Sequence, residues 1–241
     1  METSLHRDLK SFYAGDDART EVRVGRFRID AIAGDVLIEI QHSALTAIRD
    51  KIAALCKQHQ VLVVKPLVAS KLLVKRAKKG GKVVDRRRSP KQGQILDAFD
   101  ELIHFTRVFP HNNLTLELAL VDVEEWRYPG HGRRWRRRRN DFQVEDQKLL
   151  NVRDRRRVAD AADLWTLLPQ IDLPQPFHTQ HLAQQLGVDR WVAQRIAYVL
   201  RETGAVQQVG KRGNALLYSI PDPIPDSIPD VPARTGHSKA A

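Results

Sequence analysis

Apolar and polar positions alternate most sharply over residues 27–41, FRIDAIAGDVLIEIQ. Two alternating runs meet at Gly34-Asp35, the pattern of a β-hairpin closed by a tight turn. A turn there sets the register: Ala33 faces Val36, Ile32 faces Leu37, Ala31 faces Ile38 and Asp30 faces Glu39. Side chains alternate across a strand. Ile29, Ala31, Ala33, Val36, Ile38 and Ile40 therefore share an apolar face, and Asp30, Glu39 and Gln41 gather on the other.

Helical spacing brackets this hairpin. Leu5, Leu9 and Phe12 form a stripe that predicts a helix over 3–14, capped by Thr3 or Ser4, with Glu2, His6 and Lys10 as a second row. Glu21–Val24 reads as a strand. Ser43 caps a helix to about His59, with Leu45, Ile48, Ile52 and Leu55 as its apolar stripe. Val61–Val64 reads as a β-branched strand that stops at Lys65-Pro66. The order is helix, three strands, helix, strand, the last two joined by a right-handed crossover. A helix over 92–109, stopped by Pro110, and a strand over Leu114–Val123 follow. Residues 126–139 show no regular period, and 140–157 only an extended segment. From Asp160 on, helices over 161–168, 180–186 and 190–203 precede strands over 205–209 and 215–220, joined by Gly210-Lys211-Arg212-Gly213-Asn214. That order is a winged helix-turn-helix. The Pro-punctuated residues 221–241 predict a disordered tail.

Charge changes this picture more than composition does. The 241 residues are 42% hydrophobic, enough for a core in one large or two small domains. No apolar run approaches a bilayer span, and the first residues lack the apolar centre of a signal peptide. The expectation is no membrane association and a cytoplasmic location. The one cysteine, Cys56, excludes an intramolecular disulfide and a cysteine-based zinc site. The net charge of +11 is clustered. Residues 71–91 hold ten Lys or Arg against one Asp, and predict a basic hairpin turning at Lys78-Lys79-Gly80-Gly81. Lys75, Arg76, Lys78, Lys79, Arg86, Arg87 and Arg88 would meet phosphates there. Arg133, Arg134, Arg136 and Arg137, interleaved with Trp126, Tyr128 and Trp135, form a second basic segment. In the C-terminal region Arg190 and Gln194 open the helix expected to read base edges, and Lys211 and Arg212 lie on the wing. Nucleic acid is the expected partner, DNA ahead of RNA, and a homodimer is compatible with the sequence.

Two facing carboxylates about 4.5–5.5 Å apart destabilise a sheet unless they share a proton or a cation. Asp30 and Glu39 thus point to a divalent-metal site. Within its helix-strand-strand-strand-helix-strand frame, Asp30 with Glu39-Ile40-Gln41 resembles the PD-(D/E)XK nuclease superfamily over roughly residues 1–125. It looks closest to the competence-protein CoiA-like branch, through Arg28-Ile29-Asp30, Glu39-Ile40-Gln41 and His42-Ser43. It is also similar to an uncharacterised bacterial family with this core. The resemblance implies an α/β (α+β) fold, a restriction-endonuclease-like mixed sheet flanked by helices. It implies hydrolysis of phosphodiester bonds with Mg²⁺ or Mn²⁺ held by Asp30, Glu39 and the Ile40 carbonyl. Gln41 stands where that superfamily carries a lysine and would orient water or phosphate. Lys65 would supply the charge from the next strand, with Lys51 behind it, and Glu2 would add a carboxylate from the first helix. The expected organisation is a nuclease-like domain over 1–125, an arginine-rich linker over 126–159, a winged helix-turn-helix over 160–220 and a tail over 221–241. Two other readings stay open: a non-catalytic DNA-binding or regulatory protein on a degenerate nuclease fold, and an RNA-associated factor.

Overall fold

In the computed structural model the described residues are 3–15, 18–130 and 141–221. Glu2, Arg133, Arg134, Arg136, Arg137 and the tail beyond residue 221 lie outside them. A mixed sheet with helices on both faces organises the chain. Its seven strands are β1 (Arg19–Val24), β2 (Phe27–Ala33), β3 (Val36–Ile40), β4 (Gln60–Arg76), β5 (Val83–Arg88), β6 (Leu114–Pro129) and β7 (Phe142–Val158). The order is β1-β2-β3-β4-β6-β7. β3, β4 and β6 run parallel, and β1–β2, β2–β3 and β6–β7 are antiparallel pairs. β5 pairs antiparallel with the far end of β4, on the edge that β3 has vacated.

The strand expected to stop at Lys65-Pro66 runs on to Arg76, 17 residues in all. Proline lacks an N–H, so it survives in a sheet only where no ladder bond is needed. The Gln41 amide donates to the Val64 carbonyl, so the backbone groups of Val64 face β3. Those of Pro66, two residues on, face the same edge. β3 has ended there and β5 begins only at Leu72, so the missing donor costs nothing. A second correction concerns 126–159. Residues 126–129 and 142–158 of that span are strand instead: β6 continues to Pro129, and β7 pairs with β6 from Leu116 to Pro129.

Helix α1 (Ser4–Ala14) is capped by Thr3, whose hydroxyl accepts from the His6 amide. Leu5 and Leu9 pack on one sheet face against Ala31, Ile38, Ile40, Val64, Ala119, Val121 and Val123. Phe12 does not complete the expected stripe. It is 49% exposed, with the Arg155 guanidinium over its ring. The opposite face is covered by a 3-10 turn over Leu45–Ile48 leading into α2 (Arg49–Leu55), and by another over Ile95–Ala98 leading into α3 (Phe99–Leu102). Both helices are shorter than the apolar spacing predicts. Phe105, Val108 and Phe109 are buried although they lie beyond the last helical turn, so packing rather than helix extension accounts for their spacing.

The C-terminal part has a 3-10 turn over Ala162–Leu167, then α4 (Thr179–Leu186), α5 (Arg190–Glu202) and a hairpin of β8 (Gln207–Arg212) and β9 (Ala215–Ser219). His178 caps α4, its ring Nδ1 accepting from the His181 amide. Gly187 closes that helix at φ 62°, a left-handed conformation that glycine adopts at little cost. Phe177 bridges to Tyr218 of β9. Phe177, Leu182, Ile196 and Leu200 join the same hydrophobic cluster as α2 and α3, and Arg195 of α5 is ion-paired to Asp100 of α3. No described helix is long and apolar enough to cross a membrane.

Candidate active site

The β2–β3 ladder follows the expected register from Ala33↔Val36 to Ala31↔Ile38 and then stops. Asp30 and Glu39 are not ladder partners. Ile29 and Ala31 are two residues apart yet belong to clusters on opposite faces, so the alternation breaks at Asp30. Nearby on β1, Glu21 has φ 56°. Strain of that kind costs about 1–3 kcal/mol and persists where surrounding structure enforces it. Lys10 and Arg28 both pair with the Glu21 carboxylate and hold it there.

The Asp30 side chain fills the opening. Its Oδ2 accepts from the Ile40 amide at 2.7 Å, and its Oδ1 lies 3.0 Å from His6 Nε2. Because the Ile40 amide faces β2, so does its carbonyl. Glu39 is reached from α2: Lys51 Nζ is 2.6 Å from its Oε1. Its other oxygen, Oε2, is buried with no hydrogen-bond partner among the described residues. Burial disfavours the charged form of Asp30, but hydrogen bonds from His6 and the Ile40 amide, with the His6 and Lys10 charges, hold it below the usual carboxylate range. Burial raises Glu39, and the Asp30 charge pushes the same way against the opposing Lys51. Neighbouring acids driven apart in this way are suited to different roles at one pH.

The remaining expected residues fall elsewhere. Gln41 Nε2 donates to Ser43 Oγ at 2.6 Å and to the Ala44 carbonyl at 2.8 Å, so its amide is tied into the following turn. Lys65 is 5% exposed and donates to the carbonyls of His42 and Ser43. Its remaining partner is Glu101, 3.3 Å away. Its bonds brace the turn after β3 and the start of α3, not the carboxylates. Lys51 occupies the place expected of Lys65. His6 has no role in the sequence reading, yet it touches Asp30. The signal was present: His6 and Lys10, one helical turn apart, lie on the α1 edge beside β2. His42 lies close enough to Lys65, Lys71 and His6 for burial and those charges to favour its neutral form.

No group of three or more His, Cys, Asp and Glu side chains is arranged to hold a metal among the described residues. The donors that fit a hard cation are Asp30, the free oxygen of Glu39 and the Ile40 carbonyl. Of the basic residues, Lys75, Lys78, Lys79, Arg86, Arg87 and Arg88 are exposed. Arg76 instead stacks on Trp126, 4.3 Å from its centroid, and pairs with Glu145. Arg190 and Gln194 line a groove between α5 and β9, together with Tyr198 and Arg201. Lys211 and Arg212 are exposed at the tip of the neighbouring hairpin.

A family model described as "Domain of unknown function (DUF8091)" matches residues 3–159. The chain belongs to that family. The matched span ends just after β7, so the family's domain comprises α1 to β7 and contains Asp30, Glu39, His6 and Lys51. A Treponema pallidum (strain Nichols) protein with the name "Uncharacterized protein" is 30% identical over 219 residues, which is 90% of this chain and 84% of the relative. That similarity extends past the family's domain into the C-terminal helices. No solved structure matches.

Proposed function

We propose that this protein is a divalent-metal-dependent nuclease that its C-terminal helices direct to DNA. The observation that carries the reading is the buried, unpartnered Oε2 of Glu39 beside a charged Asp30, at a splayed strand pair. An unpaired carboxylate oxygen in a dry site has an energetic reason to take a cation. Asp30, Glu39 and the Ile40 carbonyl would hold Mg²⁺ or Mn²⁺, which supplies an activated water and offsets phosphate charge. His6 orients Asp30, and Lys51 stands beside Glu39 to meet negative charge on the phosphate. The mixed sheet with its hairpin opening supports the PD-(D/E)XK likeness. The order of 3-10 turn, β-bridge, helix, helix and hairpin supports a winged helix-turn-helix, with Arg190 and Gln194 toward bases. The test is cleavage of plasmid and branched DNA with Mg²⁺. Asp30→Ala is expected to reduce cleavage to background while DNA affinity stays within about twofold, since phosphate contacts lie elsewhere. Cleavage at the wild-type rate by Asp30→Ala overturns the assignment.

One observation favours a second reading. Lys51 already neutralises Glu39, and the Gln41 amide is committed to its turn. A DNA-binding protein on an inactivated nuclease fold would keep both features. Tight DNA binding without Mg²⁺- or Mn²⁺-dependent cleavage is its signature.

A further inference from the structure

Beyond α1, no described helix covers the sheet face that carries Asp30 and His6 where it continues over β5, β4, β6 and β7. There it forms a groove of about 470 Å³. β4 pairs with β5 at Leu73↔Arg87 and Lys75↔Asp85, and with β6 at Lys75↔Arg127. That register puts Lys75, Arg87 and Arg127 on one face. Phe142 enters from β7, 43% exposed, with the Arg127 guanidinium 4.6 Å from its ring centroid. Tyr128 lines the same groove, its hydroxyl donating to Gln143. Two carboxylates complete the lining: Asp85, the cross-strand neighbour of Lys75, and Asp141 at the rim. Among the described residues Lys75, Arg87 and Arg127 have no ion-pair partner.

We propose that this groove binds unpaired nucleotides, so that the substrate or partner of the protein carries a single-stranded segment. Three features select this ligand over a duplex. Exposed aromatic rings and guanidinium planes stack on base faces, which a duplex hides. Lys75, Arg87 and Arg127 meet the phosphates of one strand. Asp85, exposed on β5, repels phosphate but accepts hydrogen bonds from base amino groups, whose Watson–Crick hydrogen is free only when the base is unpaired. A purely phosphate-binding face would not carry that acid. The groove also lies in line with the candidate active site. Leu73 is nine residues beyond Val64 on β4, on the order of 30 Å at about 3.3 Å per residue. Lys71 and His42 lie between, and Lys71 is held by Glu125 at 2.7 Å. A strand bound in the groove would need several nucleotides to reach Asp30.

This inference rests on nucleic acid being the ligand, but not on catalysis, so its test is run in EDTA on the full chain. Fluorescence anisotropy with oligonucleotides of about 20 nucleotides compares single-stranded DNA, single-stranded RNA and duplex DNA at one salt concentration. Phe142→Ala is expected to weaken single-strand binding about tenfold, within the range of one lost base stack, and to leave duplex binding unchanged. Phe142→Trp restores it. The two single-stranded arms tell whether the sugar matters. Phe142 is half-exposed, and an unchanged melting temperature confirms that the variant is folded. Equal loss for single strand and duplex, or no loss for either single strand, overturns the proposal. Loss of metal-dependent cleavage would leave this measurement untouched, so the two readings fail separately.

Discussion

β4 and β6 each cross two environments in one unbroken strand. Along Gln60–Leu67, β4 has helices over both faces, and the sequence is a nearly continuous apolar run, as expected for a strand buried on both sides. Along Lys71–Arg76 the same strand reads KLLVKR, and its partner β5 is exposed at every residue. β6 shows the same change, from a Leu- and Val-rich first half to EEWRYP. Pairing keeps the backbone continuous through both halves, while the cover decides what charge can do. Under the helices the described acids and lysines are drawn into pairs: Asp30 to His6, Lys65 to Glu101, Glu117 to Arg157. Among the described residues there, one oxygen of Glu39 is buried without a hydrogen-bond partner. Outside the cover, Lys75, Arg87 and Arg127 face solvent and are available to a ligand. The buried half is built for an exact arrangement of charge, and the open half for adhesion.

The largest effects should fall in the covered half. Phe105→Ala, at a fully buried position, is expected to cost about 3–5 kcal/mol. Arg87→Ala in the open half should change stability by no more than about 0.5 kcal/mol. Denaturant unfolding measures both. Comparable losses would break the contrast between the two halves.

The sequence exposed the covered half more fully than the open one. The hairpin register, α1 and the order of elements follow from alternation and helical spacing, because burial on a helix or sheet face writes a period into the chain. The splay at Asp30 does not. It depends on Glu21 of β1, whose left-handed backbone no local pattern announces. Pro66 misled for a related reason. A proline marks a strand end unless its edge is vacant, and that vacancy comes from where β3 and β5 stop. β7 was faint because, at the sheet edge, it alternates weakly and carries many charges, DRRRV among them. Both carboxylates, and Lys51 as a lysine behind Lys65, were legible in the sequence, but the contacts of Asp30 with His6 and of Glu39 with Lys51 were not, since each joins separate elements.

A middle-sized effect separates the two lysines near the site. Lys65→Met takes the donor from the His42 and Ser43 carbonyls and leaves Glu101 with the Leu45 amide, at about 1–3 kcal/mol. Cleavage per folded molecule should persist. Lys51→Met is expected to abolish cleavage with a smaller loss of stability, because Lys51 lies at the edge of the core. If Lys65→Met instead removes cleavage from a protein of unchanged stability, the assignment of the two lysines is reversed.

A smaller effect within the covered half concerns Glu39, whose second oxygen is buried without a hydrogen-bond partner among the described residues. Its folded pKa is raised, so the folded state binds a proton more readily than the unfolded chain. Stability from that source is present at acid pH and is lost as pH rises from the ordinary carboxylate value through the raised one. Asp30 has the opposite sign: its stabilisation is present above the ordinary value and is lost as pH falls through its lowered one. Glu39→Gln removes the first loss and keeps the second. At pH 7 the variant should gain about 1 kcal/mol, or roughly 2–4 °C in melting temperature for a domain of this size. Lys51 loses a carboxylate in that variant but still donates to the Arg28 carbonyl. The acid limb of the stability profile should remain, because Asp30, with the likewise lowered Asp122 and Asp146, sets it. A variant more stable than the parent and unable to cleave marks a carboxylate kept for chemistry at a cost to the fold. Destabilisation of Glu39→Gln at pH 7 would make the Glu39–Lys51 pair a structural bridge, and with it the covered half would have no unsatisfied charge left to explain.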